Sequence, residues 1–121
     1  MARVLVVDDE EQIRDVVKRL LTLHGHAVDI AIDGAAAVDQ LQKKPYDLLI
    51  IDRAMPKMSG VEAVAMIRSS PKFKSLKILM VTMTSLTKDV DAAYEAGVDG
   101  YVVKPFDMDK LIKKVEETLR K

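Results

Sequence analysis

Apolar residues gather along the chain in five short runs, Val4–Val7, Val28–Ile32, Leu48–Ile51, Ile78–Val81 and Tyr101–Val103. Each has the length of a buried strand, and three are nearly continuous Val, Ile, Leu and Met, the pattern of strands covered on both faces in a parallel sheet. Between the runs the spacing turns helical. Ile13, Val16, Val17, Leu20, Leu21 and His24 fall at i, i+3, i+4, i+7, i+8 and i+11, with Gly25 following as a cap. Weaker helical patterns cover Ala35–Gln42, Val61–Arg68 and Lys88–Ala96, the last stopped by Gly97. Leu111, Ile112, Val115 and Leu119 mark a final amphipathic helix. Ser69–Lys77 contains Pro71 and reads as a loop.

Strand and helix alternate through five units. That alternation predicts a doubly wound α/β fold, a five-stranded parallel sheet with helices on both faces joined by right-handed crossovers. At 121 residues the chain is long enough for one continuous core and too short for two, so residues 1–121 are expected to form one domain. Composition narrows the partners: 19 basic residues match 19 acidic ones, so no global pull toward nucleic acid or an anionic membrane is expected. The absence of cysteine excludes disulfides and thiolate metal sites. The apolar run Val4–Val7 is cut off by Asp8, Asp9, Glu10 and Glu11, unlike a signal peptide, and no stretch approaches the roughly 20 apolar residues of a membrane span. A cytoplasmic location is therefore expected.

Ligands of open α/β sheets bind at the carboxyl ends of the strands, where strand order reverses. Asp8 and Asp9 end the first predicted strand, Asp52 the third, Thr82 the fourth and Lys104 the fifth. With strand order 2-1-3-4-5 the first and third strands are neighbours, and the three carboxylates converge. Such a cluster repels itself unless a cation sits in it, and all-oxygen donors that leave room for water and phosphate favour Mg²⁺. Lys104 and the Thr82 hydroxyl add a positive charge and a hydrogen-bond donor suited to phosphoryl oxygens. Asp52, alone at its strand end, is the better nucleophile; Asp8 and Asp9 are the better metal ligands. Taken singly, each has a plainer role: a helix start for the Asp pair, a turn residue for Asp52, a strand-end hydroxyl for Thr82, a surface lysine for Lys104. Their joint placement on one sheet edge outweighs those separate readings.

The segments VLVVDDE at 4–10, LLIIDRAMPKMSG at 48–60, LMVTMTS at 79–85 and GYVVKPF at 100–106 resemble the receiver domain of bacterial response regulators, in particular the single-domain chemotaxis type. The likeness runs nearly end to end, and Thr82 and Lys104 stand thirty and fifty-two residues beyond Asp52, as in that family. The resemblance implies that Asp8 and Asp9 bind Mg²⁺ together with Asp52 and the backbone carbonyl of Ala54, and that Asp52 is the phosphoacceptor. It makes Thr82, Tyr101 and Lys104 the switch, with the Tyr101 ring moving inward as the threonine shifts, and it implies a cis Lys104–Pro105 bond. The implied donor is a sensor histidine kinase or phosphotransfer protein. The implied output is a downstream protein bound by the fourth helix, fifth strand and fifth helix. Such a domain supports its own phosphoryl transfer and autodephosphorylation without being a turnover enzyme.

Met83 departs from the small residue usual in the family, and two roles stay open for it: lying across the donor's path, or filling a gap in the core. Ala54 and Thr84 occupy positions that flank the phosphoryl group in the family. His24 and His26 read as helix-end and turn residues. The lysines of the last helix read as a solvated face. Three other functions remain to be weighed. An FMN binder lacks any Gly-rich phosphate loop here, an aspartate-nucleophile phosphatase lacks a cap, and a phosphorylation-independent interaction module is kept open by Met83.

Overall fold

The computed structural model describes residues 1–121. Its elements in chain order are β1 (Arg3–Val7), α1 (Glu11–Leu23), β2 (Ala27–Ala31), α2 (Gly34–Lys43), β3 (Leu48–Asp52), α3 (Gly60–Arg68), β4 (Lys77–Thr82), α4 (Thr87–Ala96), β5 (Gly100–Val103) and α5 (Met108–Leu119). All strand pairs are parallel and the order is β2-β1-β3-β4-β5. The expected doubly wound fold is therefore the observed one.

Side chains alternate across the sheet, so each strand feeds two cores. Leu5, Val7, Leu49, Ile51, Ile78 and Met80 pack on one face with Leu41, Ala63, Val64, Ile67 and Ala93 of α2, α3 and α4. On the other face Val4, Val6, Leu48, Ile50, Leu79 and Val81 meet Val17, Leu20, Leu21, Leu111 and Val115 of α1 and α5. Burying each such Val, Leu, Ile or Met side chain contributes about 1.5–3 kcal/mol, and every residue of β3 is buried. The strand that carries Asp52 is thus clamped from both sides.

Two expectations need correction. Strand β2 is an edge strand, so it is not buried as a whole: only Ala31 is, and Ile30 and Ile32 are exposed. It stops at Ala31 because its one partner, β1, stops at Val7. The predicted loop at 69–77 holds a 3₁₀ turn, Pro71–Phe73, whose aromatic ring enters the core. Pro71 at the first position of this turn has no N–H to lose.

The β3–α3 connection is tightly built. Met58 N–H donates to the Pro56 carbonyl at 2.8 Å with Lys57 at φ +71°, the left-handed region that a non-glycine residue seldom occupies. Ser59 then caps α3 reciprocally with Glu62. Gly60 packs so closely against the backbone of Asp52 and Arg53 that a Cβ would collide with the Asp52 carbonyl.

Candidate functional site

Register decides which side chains meet. Val7 is level with Ile51, so Asp8 and Asp52 stand side by side one step further on. Asp52 is level with Val81, and Thr82 is level with Val103. Thr82 and Lys104 therefore flank the same edge, and the Lys104 N–H donates to the Thr82 carbonyl at 2.6 Å. The Lys104–Pro105 bond that follows is cis, as the resemblance implied.

At this edge three charged or polar groups are buried against expectation for their type: Asp8, Asp52 and Thr82. The Lys104 ammonium lies between the carboxylates, 3.3 Å from Asp8 Oδ2, 3.6 Å from Asp52 Oδ1 and 4.0 Å from Glu10 Oε1. Asp8 is oriented through Oδ1, which accepts from the Glu10 N–H at 2.9 Å, while Arg14 Nη1 donates to its carbonyl at 2.7 Å. Asp9 and Glu10 are exposed, and their carboxylate oxygens lie within 4.8 Å of each other and of Asp8. Asp52 joins this group through Lys104.

The electrostatics are unbalanced. Burial, and then the charge of Asp8, push the Asp52 carboxyl up to about 6, with a smaller contribution from Asp9. Lys104 and the Ala54 N–H pull the other way without cancelling the rise. One ammonium thus faces four carboxylates. That deficit, with an all-oxygen donor set open to solvent at Asp9 and Glu10, fits a hard divalent cation such as Mg²⁺.

Thr82 Oγ1 accepts from the Thr84 N–H at 3.2 Å and makes no hydrogen bond as a donor, leaving its proton free for a ligand. Tyr101 is half-buried against the core, and its hydroxyl donates to the Thr84 carbonyl at 2.8 Å. Met83 is 76% exposed in the loop that begins here, which rules out its core-filling role. His24 ends α1 and His26 Nδ1 accepts from the Ala2 N–H, both remote from the acidic edge. A groove of about 820 Å³ lies at the opposite end of the sheet among Ala2, Tyr46, Lys72, Phe73 and Lys77, and none of the constellation lines it.

The structure thus brings Asp8, Asp52, Thr82 and Lys104 together, sets Asp9 and the exposed Ala54 at the rim, and holds Tyr101 one residue removed through Thr84. Sequence reasoning passed over Glu10, although the acidic run at 8–11 contained it. It also passed over Arg53 and Asp89, which bond to one another across thirty-six residues.

Comparison with known proteins agrees with the fold. The sequence pattern of the response regulator receiver domain matches residues 4–116. The chain is 36% identical over 121 residues to response regulator ArlR of Staphylococcus epidermidis, covering all of this chain and 54% of that protein. It spans about half the length of the curated relatives it matches. Among solved structures it is similar to chemotaxis response regulator CheY4 of Vibrio cholerae, with TM-score 0.93, 36% identity and 98% of each chain covered. It is also similar to response regulator TrrA of Thermotoga maritima in complex with Mg²⁺-BeF, with TM-score 0.85, 39% identity, and 98% of this chain and 99% of that one covered. No helix of the structure is long and apolar enough to cross a membrane.

Proposed function

The chain belongs to the response regulator receiver domain family, and from that premise we propose that it is a phosphorylation-dependent switch of two-component signalling in which Asp52 accepts the phosphoryl group. A histidine kinase or phosphotransfer protein is the donor, the location is the cytoplasm, and residues 1–121 act as one receiver domain. The observation that carries this reading is the buried Lys104 ammonium set between Asp8 and Asp52 at one sheet edge.

Asp52 is nucleophilic at neutral pH because its carboxyl, raised to about 6, is still mostly ionised there. An Asp52 carboxylate oxygen forms the new bond to phosphorus as the bond from phosphorus to the donor's nitrogen or oxygen breaks, and the leaving group takes the electron pair. Lys104 supplies a compact positive charge to one phosphoryl oxygen, and the free Thr82 proton supplies a hydrogen bond to another. Asp8 and Asp9, with Asp52 and the Ala54 carbonyl, would hold Mg²⁺, and Glu10 adds a carboxylate to the same group. When bound, the ion neutralises the charge of the phosphoryl oxygens and of the carboxylates around them. Thr82 and Tyr101 carry the change outward through Thr84 to the face made by α4, β5 and α5, where a downstream protein binds. Hydrolysis of the acyl phosphate by water resets the domain, so it is a phosphoacceptor without being a turnover enzyme.

Intact mass after incubation with Mg²⁺ and a small acyl phosphate tests the reading. One phosphoryl group is expected on the wild type and none on Asp52→Ala. A modified Asp52→Ala protein, or a wild type unmodified in the presence of Mg²⁺, would refute it and leave an interaction module that works without phosphorylation.

A further inference from the structure

Arg53 follows Asp52 in sequence, but its guanidinium is spent on α4. Nη1 donates to the Asp89 carbonyl at 2.8 Å, and Nη2 lies 3.6 Å from Asp89 Oδ1. Both side chains are mostly buried, so this pair is less screened than an exposed one. The second carboxylate oxygen of Asp89 accepts from the Thr84 hydroxyl at 2.9 Å. Thr84 is then engaged at every polar atom. Its N–H donates to Thr82 Oγ1, its Oγ1 also accepts from the Leu86 N–H at 3.2 Å, and its carbonyl accepts from the Tyr101 hydroxyl.

The position of Asp89 gives these contacts their weight. Leu86 stands at the N-cap of α4 and has no side-chain group with which to cap it. Thr84 and Asp89 tie down the helix start in its place, and Asp89 in the first turn is favoured by the helix dipole. The Ser85 side chain makes no hydrogen bond, so between the end of β4 and the start of α4 the Thr84 side chain, bonded to Asp89, is the polar anchor. Removing the Asp89 carboxylate would leave the Thr84 hydroxyl without its acceptor and Arg53 without its anion.

We propose that Asp89, held by Arg53, is a positioning residue of the switch: it fixes Thr84 so that the Thr84 carbonyl meets the Tyr101 hydroxyl and the Thr84 N–H meets the Thr82 hydroxyl. This rests on the phosphorylation reading above only for its consequence. The placement itself exists before any phosphoryl group arrives. Arg53 thereby links the residue after the acceptor to α4 by a route separate from the Thr82 hydroxyl.

The test uses the full chain carrying fluorotyrosine, observed by ¹⁹F NMR, with the Tyr101 line identified through Tyr101→Phe. In the unphosphorylated protein Asp89→Ala is expected to shift the Tyr101 line and leave the Tyr46 line in place. Asp91→Ala, an exposed acid on the same helix, is expected to move neither. Asp89→Asn keeps an oxygen for Thr84 and should return the Tyr101 line part of the way to wild type; it carries the test if Asp89→Ala does not fold. Arg53→Ala should shift the line in the same direction; because its bond to the Asp89 main-chain carbonyl survives Asp89→Ala, the double variant should add less than the full Arg53→Ala shift. After acyl phosphate treatment with Mg²⁺, the further change of the Tyr101 line seen in wild type should be lost in Asp89→Ala, while Asp52 is still modified by mass. A Tyr101 line unmoved in both Asp89 variants would overturn the proposal, and full additivity with Arg53→Ala would overturn the part assigned to Arg53. A wild type that is never modified would instead count against the proposed function, and the unphosphorylated spectra would still decide the role of Asp89.

Discussion

Lys104 Nζ lies 3.6 Å from Asp52 Oδ1 although the two residues are fifty-two positions apart, and the lysine side chain is only 11% exposed. A buried ammonium this close to a buried carboxylate stabilises the ionised form of Asp52, and yet the carboxyl still rises to about 6. Burial of the carboxyl, and then the charge of Asp8, outweigh what the lysine supplies.

Arginine should not replace that lysine. Its planar fork is wider than an ammonium and spreads its charge over several donors, so it cannot serve one phosphoryl oxygen in the same space. Lys104→Arg is expected to keep the fold and to take up phosphoryl on Asp52, but to respond poorly in target binding. Circular dichroism, intact mass and a binding assay on the phosphorylated variant check the three parts; target binding equal to wild type would contradict the switch role.

Stability should vary with pH in a direction set by Asp52. Its folded value of about 6 lies above the ordinary 3.8, so between them the folded chain binds more protons than the unfolded one. Stability contributed by this group therefore falls as pH rises from about 4 to about 6 and stays lower above that. Asp52→Asn removes the fall and is expected to stabilise the metal-free protein at pH 7 by roughly 1–3 kcal/mol. If Asp52 helps to hold Mg²⁺ as proposed, saturating Mg²⁺ should flatten the same wild-type profile, because the ion then competes with the proton for the carboxylate. Denaturant melts across this pH range, with and without Mg²⁺ and for both proteins, provide the comparison.

Gly60 is the backbone counterpart. A methyl group there would strike the Asp52 carbonyl, which is main chain and cannot swing aside. Gly60→Ala is expected to cost about 1–3 kcal/mol and to slow phosphorylation by displacing Asp52. An unchanged unfolding midpoint would show that the loop yields freely.

Met83 follows Thr82, the last residue of β4, with its side chain in solvent. Truncation should therefore change stability by no more than about 0.5 kcal/mol, as for other exposed positions. If the side chain lies across the donor's path, Met83→Ala speeds phosphorylation by small acyl phosphates; an unchanged rate removes Met83 from the account.

What the sequence disclosed follows from how each feature is encoded. Strands β1, β3 and β4 were legible because both of their faces are buried and the apolar runs are unbroken. The end of β2 was not, because Ile32 is as apolar as its neighbours and the strand stops where its partner does. Pro71–Phe73 was hidden by its length, since one 3₁₀ turn has no periodicity to read. The strand-end residues Asp8, Asp52, Thr82 and Lys104 could be placed on one edge from strand order alone, and the register then brought them together. The contact of Arg53 with Asp89 could not, because no spacing rule ties a loop arginine to an acid on α4.

The central claim is that Asp52, and none of the acids around it, receives the phosphoryl group. Reductive trapping tests this most directly: borohydride reduces an aspartyl phosphate to homoserine, and tandem mass spectrometry then locates the altered residue. After treatment with Mg²⁺ and a small acyl phosphate, homoserine is expected at position 52 alone, absent without Mg²⁺ and absent from Asp52→Ala. Reduction at Asp8 or Asp9, or a wild-type chain unreduced throughout, would contradict the account.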